Sequence, residues 1–593
     1  MSETSIPVRD SPLPAGLERA LPQGKLRAIW QAWTYRIITL REDRFFLFLA
    51  VLIGVFSGLA VVSFRIAIEW TQLVLLGPSL APPPLRVILV PTTVGLVVAF
   101  LIFYVFPQAR GSGLNQIKAA LYISNGYVPF RAVVGKFVTC ALAIGSGQSL
   151  GPEDPSLHMG AGIASVMGRR LHLSQEKARL IAPIGAAAGL AAAFNAPISS
   201  VLFVIEEVIG TWSSGVLGAI ALAAIASVVT MRAFLGSESL FRVPPFRIAG
   251  PAELLAYVGL GIVGGAAALL LLKWIAYARP RVLSLPRWTQ HFQPAFAGFL
   301  IGFIGIWLPQ AMGAGYPFVD QALRGQFTWK LLLVLAIAKI LATGISFLSG
   351  TPGGLFAPTL FIGAMLGGAV GSIEHHFFPT LTGTVGTFAL IGMGTFFAGF
   401  LRTPITSVFM VMEVSGNYTS VLPVMVASLV AYSISRRYQR MPLFDMLARQ
   451  DGMQLPSIEE QREQKSLTVE GAMQYDAAII VAPADKISEL FSRMKSAVGT
   501  HILLRSRAGE WLLVDRENLS HLSATDSGDL TVAQVNAKGP LPVVFRDQSL
   551  EEALQVLGDW PVILVVSRAD LGSLEGVLTL PDILRAFRNA SAE

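Results

Sequence analysis

Apolar stretches of about twenty residues recur along the first three quarters of the chain, at 45–66, 87–106, 217–234, 254–272 and 331–347. Each is long enough to cross the hydrocarbon core of a bilayer as a helix. Only 14% of the 593 residues are charged, against roughly 25% in an ordinary soluble domain, so a water-soluble globule is excluded. The 56 glycines and 35 prolines are dense in the same stretches, and membrane helices accept them only where neighbouring protein satisfies the interrupted backbone. The expected fold is an all-α polytopic membrane protein whose helices are short, tilted and broken.

Positive charge gathers at the flanks of this region. Lys25, Arg27, Arg36, Arg41 and Arg44 alternate with Trp30, Trp33, Tyr35 and Ile37, a pattern suited to an amphipathic helix on the cytoplasmic leaflet. Residues 1–44 then form a cytoplasmic N-terminus with an interfacial helix. Arg436, Arg437 and Arg440 follow the last apolar segment, at 421–434. Basic flanks face inward, so both termini are expected in the cytoplasm, with an even number of crossings. The net charge of +7 is accounted for in this way, and no nucleic-acid partner is expected. Residues 1–24 lack the apolar core of a secretory signal, and the lone Cys140 excludes a disulfide framework within the chain.

After a transmembrane region at 45–450 and a linker at 451–466, the composition becomes that of a soluble α/β domain. Short strands such as 478–481, 501–504 and 562–566 alternate with amphipathic helices. The order of strand, helix, strand pair and helix in 467–521 recurs in 531–588, so this module is read as duplicated, with domains at 467–525 and 530–590.

The membrane region is duplicated too. Pro197-Ile-Ser-Ser-Val-Leu-Phe-Val-Ile-Glu206 aligns with Pro404-Ile-Thr-Ser-Val-Phe-Met-Val-Met-Glu413, with six identities in ten at an offset of 207. The block Gly151–Ala161 aligns with Gly354–Ala364 at an offset of 203. The repeats span about 45–235 and 250–440. Gly/Pro-interrupted segments at matching positions of two halves point to a transporter whose site lies at the repeat interface; reuse of a small-residue packing motif is the alternative.

Four segments have the chemistry of a site: Gly111-Ser112-Gly113, Gly151-Pro152-Glu153-Asp154-Pro155, Gly354-Leu355-Phe356-Ala357-Pro358 and Pro442-Leu443-Phe444. The first three are turns running into apolar helical stretches, which aim backbone N–H groups and a positive dipole end at one spot. The expected ligand is an anion. A Gly-Ser-Gly turn alone is an ordinary loop, and paired acids often just favour a helix start; order and duplication give these segments weight. A carboxylate such as Glu153 at an anion-binding helix start competes with the anion for the same N–H groups: ionised it blocks, protonated it can leave. Glu206 and Glu207 end an unbroken apolar run, where ionisable groups are costly and by default functional, or else sit in headgroup water. The mate of Glu206, Glu413, is followed by Val414, so the second carboxylate belongs to one half only. Lys136, isolated in an apolar run, either shifts the local field or snorkels.

With these segments in this order, the sequence resembles the CLC family of chloride channels and chloride/proton antiporters over about residues 44–450, followed by what resembles a pair of CBS domains. The resemblance implies two inverted repeats, a homodimer in a lipid bilayer, and chloride and protons as the transported species. It implies that Ser112, Gly113, Leu355 and Phe356 face the central anion, that Glu153 is the gate, and that Glu207 relays protons from the cytoplasm. Phe444 stands where the family has a tyrosine whose hydroxyl closes the site from inside, so one coordinating hydroxyl is missing. Pro152 replaces a basic residue and Asp154 a glycine beside the gate; an adjacent carboxylate facing Glu153 is expected to raise the proton affinity of the pair. In the second CBS domain, Thr579 and Asp582 match residues that hold the phosphate and ribose of an adenine nucleotide, while 514–518 of the first has lost both residue types; nucleotide binding and structural dimerisation stay open. The implied activity is proton-coupled chloride exchange, partly uncoupled by Phe444. A Glu153-gated chloride channel, transport of another small anion, and a membrane sensor acting through the CBS module stay open as alternatives. No enzymatic motif, metal-ligand cluster or obligatory cofactor is expected.

Overall fold

The computed structural model describes residues 23–593 apart from 79–82, 172, 174, 211–213, 242, 244–249, 251–252, 380–382, 454, 456–466, 476–477, 497–500, 507–508, 516–529, 569 and 571, and Glu593. The chain forms two compact units, Met1–Leu455 and Pro456–Glu593.

The first unit is helical throughout. A first helix, α1 (Gln23–Leu75), runs into the membrane region without a break. The expected interfacial helix at 25–44 is its beginning, and the side chains before Arg44 lie outside the described residues. There follow α2 (Pro84–Phe100), α3 (Gly113–Tyr122), α4 (Phe130–Gly145), α5 (Glu153–Arg170), α6 (Gln175–Phe194), α7 (Pro197–Phe203) and α8 (Ser214–Leu235). The second half comprises α9 (Glu253–Leu283), α10 (Gln293–Trp307), α11 (Tyr316–Leu323), α12 (Trp329–Leu348), α13 (Phe356–Phe377), α14 (Val385–Leu401), α15 (Pro404–Ser415) and α16 (Val421–Tyr438), and α17 (Leu443–Gln450) closes the unit. Among the described residues eight helices are long and apolar enough to cross a membrane. The others are short, as the Gly/Pro pattern predicts. Both α7 and α15 begin on a proline, whose missing N–H would have had no helical acceptor there in any case.

The halves are built alike. Helix α5 packs on α6, and α13 on α14, through glycines so close that no side chain fits. A Cβ on Gly160 would run into the backbone of Gly185 and Gly189, and one on Gly363, at the offset of 203, into that of Gly392.

The repeats also hold each other. Gly151 N–H donates to Gly354 O at 2.8 Å and Gly354 N–H to Gly151 O at 2.7 Å, so the two blocks matched by sequence form an antiparallel bridge from which α5 and α13 depart. The Glu413 carboxylate accepts from Ile198 N–H at 2.9 Å, Ser199 N–H at 2.7 Å and the Ser199 hydroxyl at the start of α7. Glu206 does the same for α15, accepting from Ile405 N–H at 3.4 Å, Thr406 N–H at 3.0 Å and the Thr406 hydroxyl at 2.8 Å. Each glutamate caps the other repeat's helix, neutralising an N-terminus that has donors without helical partners.

In the second unit a four-stranded sheet holds β1 (Ala478–Val481), β2 (His501–Arg505), β3 (Trp511–Val514) and β4 (Ala537–Lys538), and a three-stranded one holds β5 (Val543–Val544), β6 (Ile563–Val566) and β7 (Leu574–Leu578). In each, the first two strands pair in parallel across a helix, Ile487–Ser496 or Leu550–Leu557, and the next is antiparallel. This is the duplicated α/β order read from sequence. Helix Leu580–Ala592 ends the second copy, and its counterpart in the first falls outside the described residues. The segment around Val469 and Met473 packs into the core of the second copy.

Candidate functional site

The site is built around the start of α5. Glu153, at its first residue, is fully buried. Its Oε2 accepts from Ala357 N–H at 3.3 Å, at the start of α13, and Tyr316 Oη, at the start of α11, donates to its Oε1. Leu355 and Phe356, expected as anion donors, are buried in the same first turn of α13, where backbone N–H groups have no intrahelical acceptor. The carboxylate of Glu153 therefore sits where an anion bound to this helix start would sit. A cavity of about 290 Å³, lined by Arg65, Gln72, Pro152, Met312 and Tyr316 among others, adjoins the start of α5.

Asp154 points elsewhere. Its carboxylate accepts from Gly113 N–H at 2.8 Å and Leu114 N–H at 3.0 Å, and the Ser112 hydroxyl lies 3.5 Å from it. Gly113, expected to offer its N–H to a transported anion, donates it to this side chain instead. The two adjacent acids thus serve two different helix starts and do not face each other, because successive residues of a helix point about 100° apart. Lys136 is buried with its ammonium 2.7 Å from Gly111 O and 3.9 Å from Asp154; it does not snorkel.

Glu207 lies in a π-helical turn, Val204–Ile209, that continues α7. It is buried, and Lys118 Nζ donates to its Oε1 at 2.7 Å and to Asp445 Oδ1 at 3.1 Å. Glu207 points in a different direction from Glu206, as successive helical residues do, and π-helical turns are frequent at functional positions. One turn above Lys118, Asn115 Nδ2 donates to Phe444 O at 3.1 Å. These two links dock α17 on α3, and Phe444 is buried.

Sequence reading does not name Tyr316, Lys118 or Asp445. The signal for Lys118 is present, a lone cation in an amphipathic ten-residue helix, but its partners come from segments 89 and 327 residues away. Tyr316 follows a Gly313-Ala-Gly315 turn that looks like an ordinary loop. In the second unit, Thr579 and Asp582 are engaged with one another: Asp582 accepts from Thr579 N–H at 3.1 Å and from its hydroxyl, and from Gln474 Nε2 at 2.6 Å. The pair expected to hold a nucleotide ties the start of the last helix, the carboxylate accepting from the Thr579 N–H as the third-position acid of a capping box does, with Asp582 only 3% exposed. Among the described residues no metal-ligating cluster is found.

Buried carboxylates set against paired helix starts, inside a duplicated membrane bundle, define a protein of the anion-channel and antiporter class. The family described as voltage gated chloride channel matches residues 94–436, and the chain belongs to that family. The chain is 32% identical over 445 residues to the H(+)/Cl(−) exchange transporter ClcA of Cronobacter sakazakii, covering 72% of this chain and 95% of that one. Among solved structures it is similar to a slow cyanobacterial Cl−/H+ antiporter, with a TM-score of 0.63 and 26% identity over 69% of this chain and 98% of that one. A eukaryotic CLC transporter, 18% identical with a TM-score of 0.59, shares the fold over 91% of this chain and 97% of its own.

Proposed function

We propose that the protein is a proton-coupled chloride exchanger acting as a homodimer, with Glu153 as gate and Glu207 as internal proton relay. The observation that carries the reading is the Glu153 carboxylate lodged at the start of α13, in hydrogen-bond contact with Ala357 N–H and Tyr316. An anion and this carboxylate compete for one place, so protonation and anion entry are linked. A buried second carboxylate, Glu207, gives the proton a group on the side of Lys118 and Asp445. The names of the relatives, H(+)/Cl(−) exchange transporter and Cl−/H+ antiporter, support the same activity. The test is reconstitution into liposomes under an outward chloride gradient. Proton uptake against its own gradient, driven by chloride efflux, is expected; chloride efflux with no proton movement would replace exchange by conduction. A Glu153-gated chloride channel is the second reading. It is favoured by the tie of Glu207 to Lys118 at 2.7 Å, which holds the relay group in an ion pair, and by the missing hydroxyl at Phe444.

A further inference from the structure

The two halves each bury one lysine at matching positions, and only one of them has an acid. Lys136 in α4 and Lys339 in α12 are 203 residues apart, the offset of the repeat, and both are fully buried. Both donate to carbonyls of the turn that precedes a short helix: Lys136 to Gly111 O at 2.7 Å, before α3, and Lys339 to Gly313 O at 2.6 Å and Ala311 O at 3.1 Å, before α11. Around Lys339 the repeat places Ala357 and Phe361, and the ammonium lies over the Phe361 ring at 4.9 Å. Among the described residues it has no ion pair. Around Lys136 the same two positions are Asp154 and His158. Asp154 stands 3.9 Å from the ammonium while accepting both first-turn N–H groups of α3; His158 is buried with no hydrogen-bond partner on either ring nitrogen.

From this contrast we infer that Asp154 is a tethered anion, which occupies the α3 helix start and cancels Lys136, and so lowers the affinity of the neighbouring Ser112 site for the transported anion. The inference rests on the reading of the chain as a chloride transporter. Two adjacent acids of α5 thereby hold both helix starts of the path: Glu153 that of α13, where a cavity and a phenol allow it to move, and Asp154 that of α3, where two backbone donors and an ammonium hold it. An anion at Ser112 meets a helix dipole already satisfied and a lysine already paired. Repulsion from a fixed carboxylate at this range favours rapid release over tight occupancy.

Titration calorimetry of chloride onto the full chain in detergent tests this. Asp154→Gly opens the helix start and Asp154→Asn removes the charge while keeping the shape. Both should bind chloride about tenfold more tightly, the size expected when a partly buried helix terminus and a cation lose their internal counter-charge. Lys136→Met alone should weaken binding, and Asp154→Asn with Lys136→Met should return near the wild-type value. A merely structural Asp154 would lower thermal stability without tightening binding. Unchanged or weaker binding in the Asn variant, with the protein still folded by its melting profile, overturns the inference. Chloride flux through the wild type in liposomes is measured alongside: its absence sinks the transport reading itself, whereas wild-type flux with no gain in the variants sinks only the role of Asp154.

Discussion

The two halves of the membrane unit share a scaffold and differ in charge. At the scaffold level they are interchangeable: Glu206 caps α15 as Glu413 caps α7, Gly151 and Gly354 exchange backbone hydrogen bonds, and Lys136 and Lys339 brace equivalent turns. At the level of chemistry the first half adds acids that the second lacks. Glu153 stands against Phe356, Asp154 against Ala357 and Glu207 against Val414. Duplication thus accounts for the frame, and every group proposed to handle protons or to compete with the anion is a departure from it. The difference teaches where to look in such a bundle: residues that obey the repeat hold it together, and residues that break it are the ones proposed to act in transport.

The largest expected effect breaks the comparison at Glu153. Glu153→Gln makes the first half as uncharged at this position as the second. Coupled proton movement should vanish, chloride flux should persist or rise, and its pH dependence should disappear. Proteoliposome chloride release followed with an electrode, beside external pH, measures all three. Retained proton movement in this variant would mean that Glu153 is not the gate.

The crossed caps sharpen the scaffold side. Glu206→Ala and Glu413→Ala each leave two backbone N–H groups and a hydroxyl of the opposite half without an acceptor. Losing hydrogen bonds to a charged group costs about 1.5 to 3 kcal/mol, so both variants should lose stability, buried Glu206 nearer the upper figure than half-buried Glu413. Thermal unfolding in detergent compares them. A loss for one and none for the other would show that the exchange is not reciprocal in energy, however similar its geometry.

Much of this frame is legible in the sequence, because identities at a fixed offset and Gly/Pro breaks survive in a single chain. The direction of each carboxylate is not. Glu206 and Glu413 read as equivalent residues, yet nothing local says that each caps the other's helix, since the partners are about two hundred residues away. Glu206 and Glu207 read as a pair, and only the fold shows one as a cap and the other as a buried ion-pair partner. Asp154 reads as a neighbour of Glu153 whose direction stays open, and helix geometry sends it to α3. The Lys136 and Lys339 pair stands in the sequence at the offset of the repeat, but its meaning depends on the acid that only one of them meets.

A smaller effect is expected at α17, which follows the second repeat and has no counterpart among the described residues between α8 and α9. Asn115 and Lys118 dock it on α3, which adds to the asymmetry. Phe444→Tyr supplies the phenol that the resemblance to the family implies against the anion. A hydrogen bond to an anion contributes about 1.5 kcal/mol at the lower end of its range, so chloride should bind about tenfold tighter. The ratio of chloride to protons should also move towards a fixed value, because a closed inner side suppresses slippage. Calorimetry and the liposome assay read the two effects; neither change would mean that the ring does not face the anion.

The smallest effect tests a side chain of the second half that meets an acid of the first. Tyr316 is the repeat mate of Gly113, and both stand at the first residue of a short helix, α11 and α3. Gly113 meets Asp154 with its backbone, whereas Tyr316 meets Glu153 with a phenol. Removing that phenol does not empty the gate, because Ala357 N–H still holds Oε2 at 3.3 Å, and the adjoining cavity, lined in part by Tyr316 itself, has room for water to replace the donor. The net loss is then that of one exchangeable hydrogen bond, about 1 kcal/mol, or roughly fivefold in the balance between the lodged and the withdrawn carboxylate. Tyr316→Phe should accordingly raise chloride flux about fivefold at a pH where the gate is limiting, and should do nothing once Glu153 is replaced by alanine. Such dependence on Glu153 separates a latch from a packing residue: a Tyr316→Phe effect of equal size in the Glu153→Ala background would place the phenol's influence in the packing of α11 against α13, and the two helix starts would again be equivalent.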